Sequence, residues 1–212
     1  MRIRKPSFEI LDPIDGMDIL KKIERCGRVC YKSEGLICNG TAQKFVENII
    51  KRGHESVLEH VSFTVKFICD RGISHELVRH RLASYSQEST RYCNYGKGDF
   101  GGEITFIKPY FLVSTTEGYE VWKRSCEESE KAYFDLLAWG CTPQEARSVL
   151  PNSLKTEVVM TANLREWRHF FKLRCSTAAH PQMRELTIPM LDRLKQIIPV
   201  VFDDCLVGGG EG

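Results

Sequence analysis

The amino-acid sequence predicts an α+β fold, a single domain with a small, mainly antiparallel sheet packed by several helices. Apolar residues recur at helical spacing in several long segments, whereas strict alternation of apolar and polar residues is confined to few short ones. The 212 residues are within the size range of one domain, and no internal repeat, long linker or composition shift divides them. We therefore expect one domain over residues 1–207 and a flexible glycine-rich tail over residues 208–212.

Two helices are predicted near the start of the chain. Apolar residues follow helical spacing over residues 17–30 and again over residues 41–52. Thr41 is expected to cap the second helix, because a hydroxyl oxygen can accept a free N–H group at a helix start. Gly53 is expected to end it, because glycine tolerates the backbone conformation of a helix end.

A strand and a third helix are predicted in the middle of the chain. Residues 61–67 alternate strictly between apolar and polar side chains, which is the pattern of a half-buried strand. Asp70-Arg71-Gly72 then turns the chain, and Ser74 can cap a helix that runs to about Leu82. This helix would contain the triplet Arg79-His80-Arg81.

The second half of the chain predicts one short strand and several helices. The helix starts are marked by capping boxes, in which a cap side chain and a glutamate three residues later satisfy free N–H groups. The expected elements are a strand at residues 104–107, a helix over residues 119–140, helices that begin at Thr142 and Asn163, and a last helix over residues 183–201 that Pro189 should kink.

Composition and charge exclude several classes of protein. The chain has 30 basic and 28 acidic residues, and the formal net charge of +2 provides no global field that would attract nucleic acid or a membrane surface. No eighteen consecutive apolar residues occur, so no transmembrane helix is expected. We expect a cytoplasmic protein.

The nine cysteines predict neither a disulfide framework nor a metal site. Their number is odd and no C-x-x-C pair occurs, so we expect reduced thiols and no bound metal. Cys26 and Cys30 are four residues apart on a predicted helix. They are expected to be small buried apolar residues, with a metal role as the alternative.

A local basic cluster is the strongest functional signal. Arg79, His80, Arg81 and Arg91 are interleaved with the hydroxyl groups of Ser84, Ser86, Ser89 and Thr90. On a helix, residues two apart point about 200° away from each other, so Arg79 and Arg81 would address two ligands or one large one. Guanidinium groups bind phosphate through parallel hydrogen bonds, which favours an anion site. A solvated helix face, or ion pairs with Glu76 and Glu88, is the alternative.

The order of these residues resembles the signature of one protein family. Arg79-His80-Arg81, seven further residues and Ser89 match the pattern RHR-x7-S, and the longer form RHRxxSxNExSxRY fits at Ser84, Ser89, Arg91 and Tyr92. This pattern is the signature of the flavin-dependent thymidylate synthases. The resemblance covers most of residues 53–185, through the segments 53–56, 59–60, 146–147, 150–151, 163–165 and 173–174.

The resemblance implies an enzyme that methylates dUMP to dTMP. Family members take the carbon from methylenetetrahydrofolate and the hydride from FAD that NADPH has reduced, so the protein mainly binds, orients and polarises its ligands. They use no enzyme cysteine as nucleophile, and they are homotetramers with active sites between subunits. The expected partners are therefore dUMP, folate and NADPH, without nucleic acid or membrane.

The resemblance also implies binding and catalytic roles for individual residues. The cofactor-binding residues would be His54, Ser56, Arg79, His80, Arg81, Gln87, Asn163, Leu164, Arg165 and His169. The substrate-binding residues would be Glu76, Arg79, Gln87, Glu88, Ser89, Thr90, Arg91, Arg147 and Arg174. Arg174 would be catalytic, because a fixed cation beside the uracil ring favours the ionised ring, whose carbon is then nucleophilic.

The chain departs from the family pattern at three places. Ser86-Gln87 stands where the family has Asn-Glu, Glu76 where it has Gln, and His169 where a close member has Asn. Gln87 keeps the reach of glutamate without its charge, which argues against proton exchange at this position. Glu88 could replace that charge only with a register shift, and Glu76 would repel a nucleotide phosphate unless a neighbouring arginine neutralised it.

Two other functions fit parts of the pattern. The clustered arginines could bind the backbone of a nucleic acid, although the small net charge and the lack of a basic stripe count against it. A different flavoenzyme with a nucleotide substrate is the nearer alternative. The aromatic residues Trp167, Phe170 and Phe171 are at helical spacing and are expected in the core, with flavin stacking as the alternative.

Overall fold

Six strands and seven α-helices occur in the part of the chain that the computed structural model describes, residues 1–97, 101–205 and 207. The strands are β1 (Arg2–Arg4), β2 (Ser7–Ile10), β3 (Ser62–Asp70), β4 (Ala83–Gln87), β5 (Thr105–Ile107) and β6 (Lys155–Asn163). The helices are α1 (Gly16–Val29), α2 (Thr41–Lys51), α3 (Arg71–Leu77), α4 (Glu117–Ala138), α5 (Pro143–Ala146), α6 (Leu164–Arg174) and α7 (Pro181–Ile197). Short 3-10 turns lie at Glu34–Leu36, Glu55–His60 and Arg147–Val149.

The strands form one sheet of four and one pair. The larger sheet has the order β2-β3-β6-β4 and is antiparallel. The pair β1-β5 is parallel, with Ile3 opposite Phe106. About a hundred residues separate the two paired strands, as the crossover of a parallel pair permits. The predicted α+β class, with a small and mainly antiparallel sheet, is confirmed.

The backbone divides into two compact units. The first unit consists of residues 1–7, 67–79 and 85–159, and the second consists of residues 8–66, 80–84 and those from 160 onwards. The boundary passes through the basic triplet, since Arg79 belongs to the first unit while His80 and Arg81 belong to the second. The single-domain assignment stays a prediction, and the tail at residues 208–212 lies outside the described residues.

The core of the first unit is built around α4. The buried side chains of this core are Tyr95, Ile104, Phe106, Cys126, Tyr133, Ala146 and Leu154. Polar contacts fix the same helix: Glu130 accepts the N–H group of Ile104 at 2.7 Å, and Trp122 donates to the hydroxyl of Ser153 at 2.9 Å. These contacts join α4 to the chain before β5 and before β6.

The core of the second unit contains an aromatic cluster on α6. The ring of Trp167 stacks on Phe63 of β3 with centroids 4.9 Å apart, and Phe171 meets Phe202 edge-on at 5.6 Å. Trp167, Phe170 and Phe171 are all fully buried. Their prediction as core residues is therefore confirmed, because apolar surface of this size gains most by leaving water.

The third helix is not where the sequence predicts it. It begins at Arg71 and ends at Leu77, because the carboxylate of Asp70 accepts the N–H group of Ile73 at 2.7 Å and caps the helix. Ser74 is a buried residue inside the helix, and its hydroxyl donates to the carbonyl of Arg71. The triplet at residues 79–81 therefore lies beyond the helix, so helix geometry does not point Arg79 and Arg81 in opposite directions as predicted.

Other boundaries differ from the predictions in smaller ways. Gly40, with φ of 87°, caps α2, and Thr41 is its first residue; the Thr41 hydroxyl donates to Glu24 instead. Cys26 is half-buried and Cys30 is exposed at the end of α1, so the expectation that both are buried is wrong. Strands β1, β2, β4 and β6 were not predicted, whereas β3, β5, α4 and the Asn163 cap of α6 are confirmed.

Gly16 allows α1 to begin against the chain that follows α7. A Cβ atom at Gly16 would overlap the carbonyl oxygen of Ile197 and lie 2.8 Å from Cδ of Pro199. Since a backbone carbonyl cannot move away as a side chain can, we expect Gly16→Ala to lower the free energy of unfolding by about 1–3 kcal/mol. Gly35→Ala is the control, because no atom lies within 4 Å of its added Cβ. Equal urea midpoints for the two variants would contradict this packing.

Candidate functional site

His80, the middle residue of the triplet, lies between Glu166 and Arg174 in the second unit. The residue is 5% exposed. Its Nδ1 is 3.0 Å from Oε1 of Glu166, and Nε of Arg174 donates to its Nε2 at 3.0 Å. The ring of Phe170 packs edge-on against the imidazole, with centroids 5.0 Å apart. The structure therefore brings a predicted cofactor residue, His80, into contact with the predicted catalytic residue, Arg174.

Burial holds the pKa of His80 below its ordinary value of 6.5, because a buried imidazolium loses its hydration. The hydrogen bond with Glu166 opposes this shift, whereas the positive charge of Arg174 adds to it. The imidazole is therefore neutral at physiological pH. Because the unfolded chain binds this proton more readily, the stability contribution of the neutral ring is complete above pH 6.5 and decreases as the pH falls below it.

The second unit contains a cavity of about 880 Å³, and Glu166, the partner of His80, is one of the residues that line it. Its lining residues are Glu55, Glu59, Leu82, Asn163, Arg165, Glu166, Arg168, His169, Lys172, Asp204 and Cys205. The volume is within the range of roughly 300–1,000 Å³ that is usual for small-molecule sites. Three predicted cofactor residues, Asn163, Arg165 and His169, thus line one cavity.

The start of α6 gives this cavity groups that suit an anion. The side chain of Asn163 caps the helix by accepting the N–H group of Glu166 at 2.9 Å. Arg165 pairs with Glu59 at 2.6 Å, and their side chains are 53% and 45% exposed. A pair this exposed contributes little to stability, so the guanidinium can exchange its carboxylate for a phosphate. An arginine beside a helix start suits a phosphate group.

Arg168 holds one wall of the cavity together. Its guanidinium donates to Glu55 at 2.9 and 3.1 Å, to Asp204 at 2.6 and 2.7 Å, and to the carbonyl of Val201. The hydrogen bond from Arg168 is the main cause that lowers the pKa of Asp204 below its ordinary value. Burial alone would lower the pKa of Arg168, but its bonds to Asp204 raise it, so the pair is fully charged. Arg168 therefore joins the turn at Glu55–His60, α6 and the chain after α7.

The remaining predicted cofactor residues of the second unit lie at other positions. His54 and Ser56 are exposed, one on each side of a residue that lines the cavity. Arg81 is exposed just before β4. Leu164 is fully buried and its N–H group donates to the carbonyl of Val61 at 2.9 Å, so its side chain belongs to the core.

In the first unit the structure brings Thr90 and Arg147 together. Nη1 of Arg147 donates to the hydroxyl of Thr90 at 3.0 Å, with Thr90 buried and Arg147 exposed. One residue before Thr90, the hydroxyl of Ser89 accepts the N–H group of Arg91 at 3.3 Å. The Arg91 guanidinium lies over the ring of Tyr92, 5.4 Å from its centroid. The short stretch Ser89-Thr90-Arg91 thus carries two hydroxyl groups and one surface arginine, and the surface residue Arg147 contacts it through Thr90.

Glu88 is engaged in an ion pair within the first unit. Its carboxylate accepts hydrogen bonds from Lys155 at 2.8 Å and from the hydroxyl of Tyr95 at 3.2 Å. Burial would lower the pKa of Lys155, but its hydrogen bonds to Glu157 and Glu88 raise it above the ordinary value. Glu88 therefore pairs with a lysine rather than with the arginines of the triplet.

Gln87 is held by two hydroxyl groups. Its Nε2 donates to the hydroxyls of Ser74 at 2.9 Å and Thr156 at 3.3 Å. Glu76 is half-buried on α3, and Arg79 is exposed two residues after that helix, with its N–H group donating to the carbonyl of Glu76 at 3.3 Å. Gln87 is thus fixed inside the unit, whereas Arg79 has its side chain at the surface.

Six charged residues that line the cavity were not predicted as part of the site: Glu55, Glu59, Glu166, Arg168, Lys172 and Asp204. The sequence marks Glu166 only as the partner of a helix cap. A usable signal was the aromatic stripe of α6, because Glu166 and Arg168 stand on either side of Trp167 and share its burial. Charged residues that are buried need partners, although the sequence does not say which ones.

No cluster of three histidine, cysteine or acidic side chains that could hold a metal occurs among the residues that the structure describes. Within the same residues, no helix is both long enough and apolar enough to cross a membrane.

Comparison with known proteins identifies relatives over most of the chain. The family model described as thymidylate synthase complementing protein matches residues 14–200. A flavin-dependent thymidylate synthase of Geobacter sulfurreducens is 37% identical over 192 residues, which are 85% of this chain and 81% of that protein. The enzyme of the same name from Pyrococcus furiosus is 38% identical over 183 residues, 86% of this chain and 74% of its own.

A solved structure shares the fold. The crystal structure of a UMP/dUMP methylase from Streptomyces cacaoi, bound with 5-Br dUMP, superimposes with a TM-score of 0.76 and covers 96% of both chains. The sequence identity is 24%, so this likeness supports the fold and not the substrate. The family model covers most of the chain, and both relatives are more than 35% identical to it. These matches agree with the family signature that the sequence carries at residues 79–92.

Arg168→Ala should destabilise the second unit, because it leaves two carboxylates without their partner. We expect a loss of about 1.5–3 kcal/mol in the free energy of unfolding. Lys21→Ala, which breaks an exposed pair with Asp18, is the control and should cost less than about 1 kcal/mol. Urea denaturation of the FAD-free protein measures both.

The effect of Arg168 should depend on pH with a definite sign. The lowered pKa of Asp204 contributes stability above its ordinary value of 3.8, and this contribution is lost as the pH falls through the value in the folded protein. The stability difference between wild type and Arg168→Ala should therefore shrink below about pH 4. A difference that is constant from pH 7 to pH 3 would refute a charged pair.

Proposed function

The chain belongs to the family of the flavin-dependent thymidylate synthases, and from this membership we propose that it methylates dUMP to dTMP, with methylenetetrahydrofolate as carbon donor and FAD reduced by NADPH as hydride donor. One observation carries the proposal: the motif residues form two groups of different chemistry. Hydroxyls and surface arginines occur together in the first unit. The buried His80 and the half-buried Arg174 occur together in the second unit, next to a cavity lined by charged side chains.

The nucleotide phosphate is assigned to the group in the first unit. Arg147 already donates to Thr90, and the Ser89 hydroxyl holds the backbone of Arg91, so these donors are ordered before a ligand arrives. Two guanidinium groups can share the oxygens of one phosphate, and hydroxyls can complete the coordination. Glu88 does not oppose this assignment, because its charge is paired with Lys155.

FAD is assigned to the cavity of the second unit. The exchangeable guanidinium of Arg165, at the positive end of the α6 dipole, suits a pyrophosphate, and His169 can donate to a ring carbonyl. Bound FAD supplies the hydride for the reaction. His54, Ser56 and Arg81 are assigned to the same cofactor from the resemblance, as exposed side chains that a ligand can reach.

Arg174 is assigned to the uracil ring. Its Nε is fixed by His80, and a guanidinium held in one orientation beside the ring favours the ionised uracil without further solvent reorganisation. The ionised ring is the better carbon nucleophile, so this residue would raise the rate of carbon transfer. The substrate-binding roles of Glu76, Arg79 and Gln87 are proposed from the resemblance to the family.

Arg174→Ala should abolish activity while FAD remains bound. We expect dTMP formation to fall by at least about 100-fold, the usual effect of removing a group that stabilises developing charge. The assay is dTMP formation from dUMP with methylenetetrahydrofolate, NADPH and FAD. Arg193→Ala, an exposed arginine of α7, is the control and should retain activity. Near-normal turnover by Arg174→Ala would remove this assignment.

The assay also separates the proposed function from the alternatives. Purified protein should be yellow, NADPH should bleach its flavin spectrum, and dUMP should perturb it. Colourless protein that takes up no FAD and binds RNA in a salt-dependent manner would favour the nucleic-acid module instead. Yellow protein that forms no dTMP would favour another flavoenzyme.

We assign no cysteine nucleophile to the reaction. Burial raises the pKa of Cys126 and of Cys205 to about 11, and it raises the pKa of Cys69, Cys93 and Cys175 as well. A thiol with a raised pKa has little thiolate at neutral pH and is a poor nucleophile. Cys205 is the relevant case, because it lines the cavity.

Every single Cys→Ala or Cys→Ser variant should keep activity within about threefold of wild type, apart from losses that follow unfolding. The nine variants are assayed for dTMP formation after their folding has been checked by circular dichroism. A variant that is folded, binds FAD and forms no dTMP would show that its thiol takes part.

We further propose a cytoplasmic homotetramer with active sites between subunits. Sedimentation of the FAD-bound protein would test the oligomeric state.

A further inference from the structure

Glu166, His80 and Arg174 form a continuous hydrogen-bonded chain in the second unit. Arginine has only donor groups, so the Nε2 atom of His80 that faces Nε of Arg174 must carry the lone pair. The ring proton of the neutral imidazole is then on Nδ1, and it is donated to Oε1 of Glu166 at 3.0 Å. The two partners thus determine the tautomer of His80 without any assumption about a ligand.

The carboxylate at the other end of this chain is itself fixed. Glu166 is 6% exposed, and its N–H group donates to the side chain of Asn163 in the first turn of α6. A carboxylate at a helix start is favoured by the helix dipole. Arg174 is the last residue of the same helix, roughly 12 Å further along its axis. His80 therefore connects the first and last turns of α6.

We infer that Glu166 is a positioning residue for Arg174, which it orients through the Nδ1–H tautomer of His80. The carboxylate holds the proton on Nδ1, the Nε2 lone pair is then available to the Nε–H group of Arg174, and the planar guanidinium is fixed by that bond. The imidazole is an acceptor that adds no negative charge beside the guanidinium. The effect on turnover rests on the proposed function of Arg174, whereas the tautomer does not.

The tautomer can be observed directly in the FAD-bound protein. The chain has six histidines, and ¹⁵N-labelled histidine reports for each ring which nitrogen carries the proton. The His80 signals are assigned by their absence from a His80→Gln variant. At pH 7 we expect His80 to be neutral, protonated on Nδ1 and unprotonated on Nε2. Protonation on Nε2, or an imidazolium, would overturn the inference.

Variants of Glu166 test whether the tautomer matters for Arg174. Glu166→Gln retains a carbonyl oxygen that accepts from Nδ1–H, so the tautomer should persist and kcat should stay within about tenfold of wild type. Glu166→Ala removes the acceptor, and we expect kcat to fall by about 10–100-fold, as is usual for an orienting outer partner, with the Kd for FAD within about threefold. Asp192→Ala, an exposed carboxylate on α7, is the control.

The outcomes separate this inference from a merely structural role. If Glu166 only stabilises the fold, both Glu166 variants lose stability and FAD together while kcat per bound flavin is unchanged, and the inference fails. If Glu166→Ala does not fold, the ¹⁵N signals of His80 still decide: protonation on Nε2 in the wild type, or on Nε2 in Glu166→Gln with an unchanged kcat, would overturn the inference. A wild-type protein that forms no dTMP but shows the Nδ1–H tautomer refutes the proposed function and leaves the tautomer assignment intact.

Discussion

The burial of charge on α6 is the constraint on which the second unit depends. Glu166 and Arg168 are 6% and 8% exposed, on either side of the fully buried Trp167. An unpaired charge at such a position would cost several kcal/mol, so each needs a partner from elsewhere in the chain. Glu166 contacts His80, and Arg168 contacts Glu55 and Asp204. The segments that carry these partners are thereby fixed to the helix.

The same constraint holds two of the predicted cofactor residues at the surface of the cavity wall. Arg168 fixes Glu55, so the exposed His54 and Ser56 on either side of it are attached to a wall of the cavity rather than to a free turn. The aromatic side chains of α6 supply the apolar contacts that keep the helix in place. On α6 the buried Glu166 and Arg168 thus flank the aromatic face that begins at Trp167, so adjacent sides of one helix provide both core packing and site geometry.

The sequence predicted the fold class and the elements whose signals are local. Alternation over residues 61–67 and the Asn163 cap needed no knowledge of the rest of the chain. The third helix was misplaced because two residues could cap it, and Asp70 reaches the free N–H group of Ile73 where Ser74 was expected. For the site, the resemblance grouped Thr90 with Arg147, which the structure places 3.0 Å apart. The contact of His80 with Glu166 joins residues 86 positions apart, and no local pattern encodes it.

Two arginines of α6, the buried Arg168 and the half-buried Arg174, differ in the groups that accept their hydrogen bonds. Arg168 donates to two carboxylates, which compensate its charge and make it a structural link. The Nε of Arg174 donates instead to a neutral imidazole, because burial keeps His80 uncharged. A neutral acceptor fixes the direction of a guanidinium without adding a negative charge next to it. Under the proposed function, a guanidinium held in this direction would stabilise a uracil ring that becomes anionic.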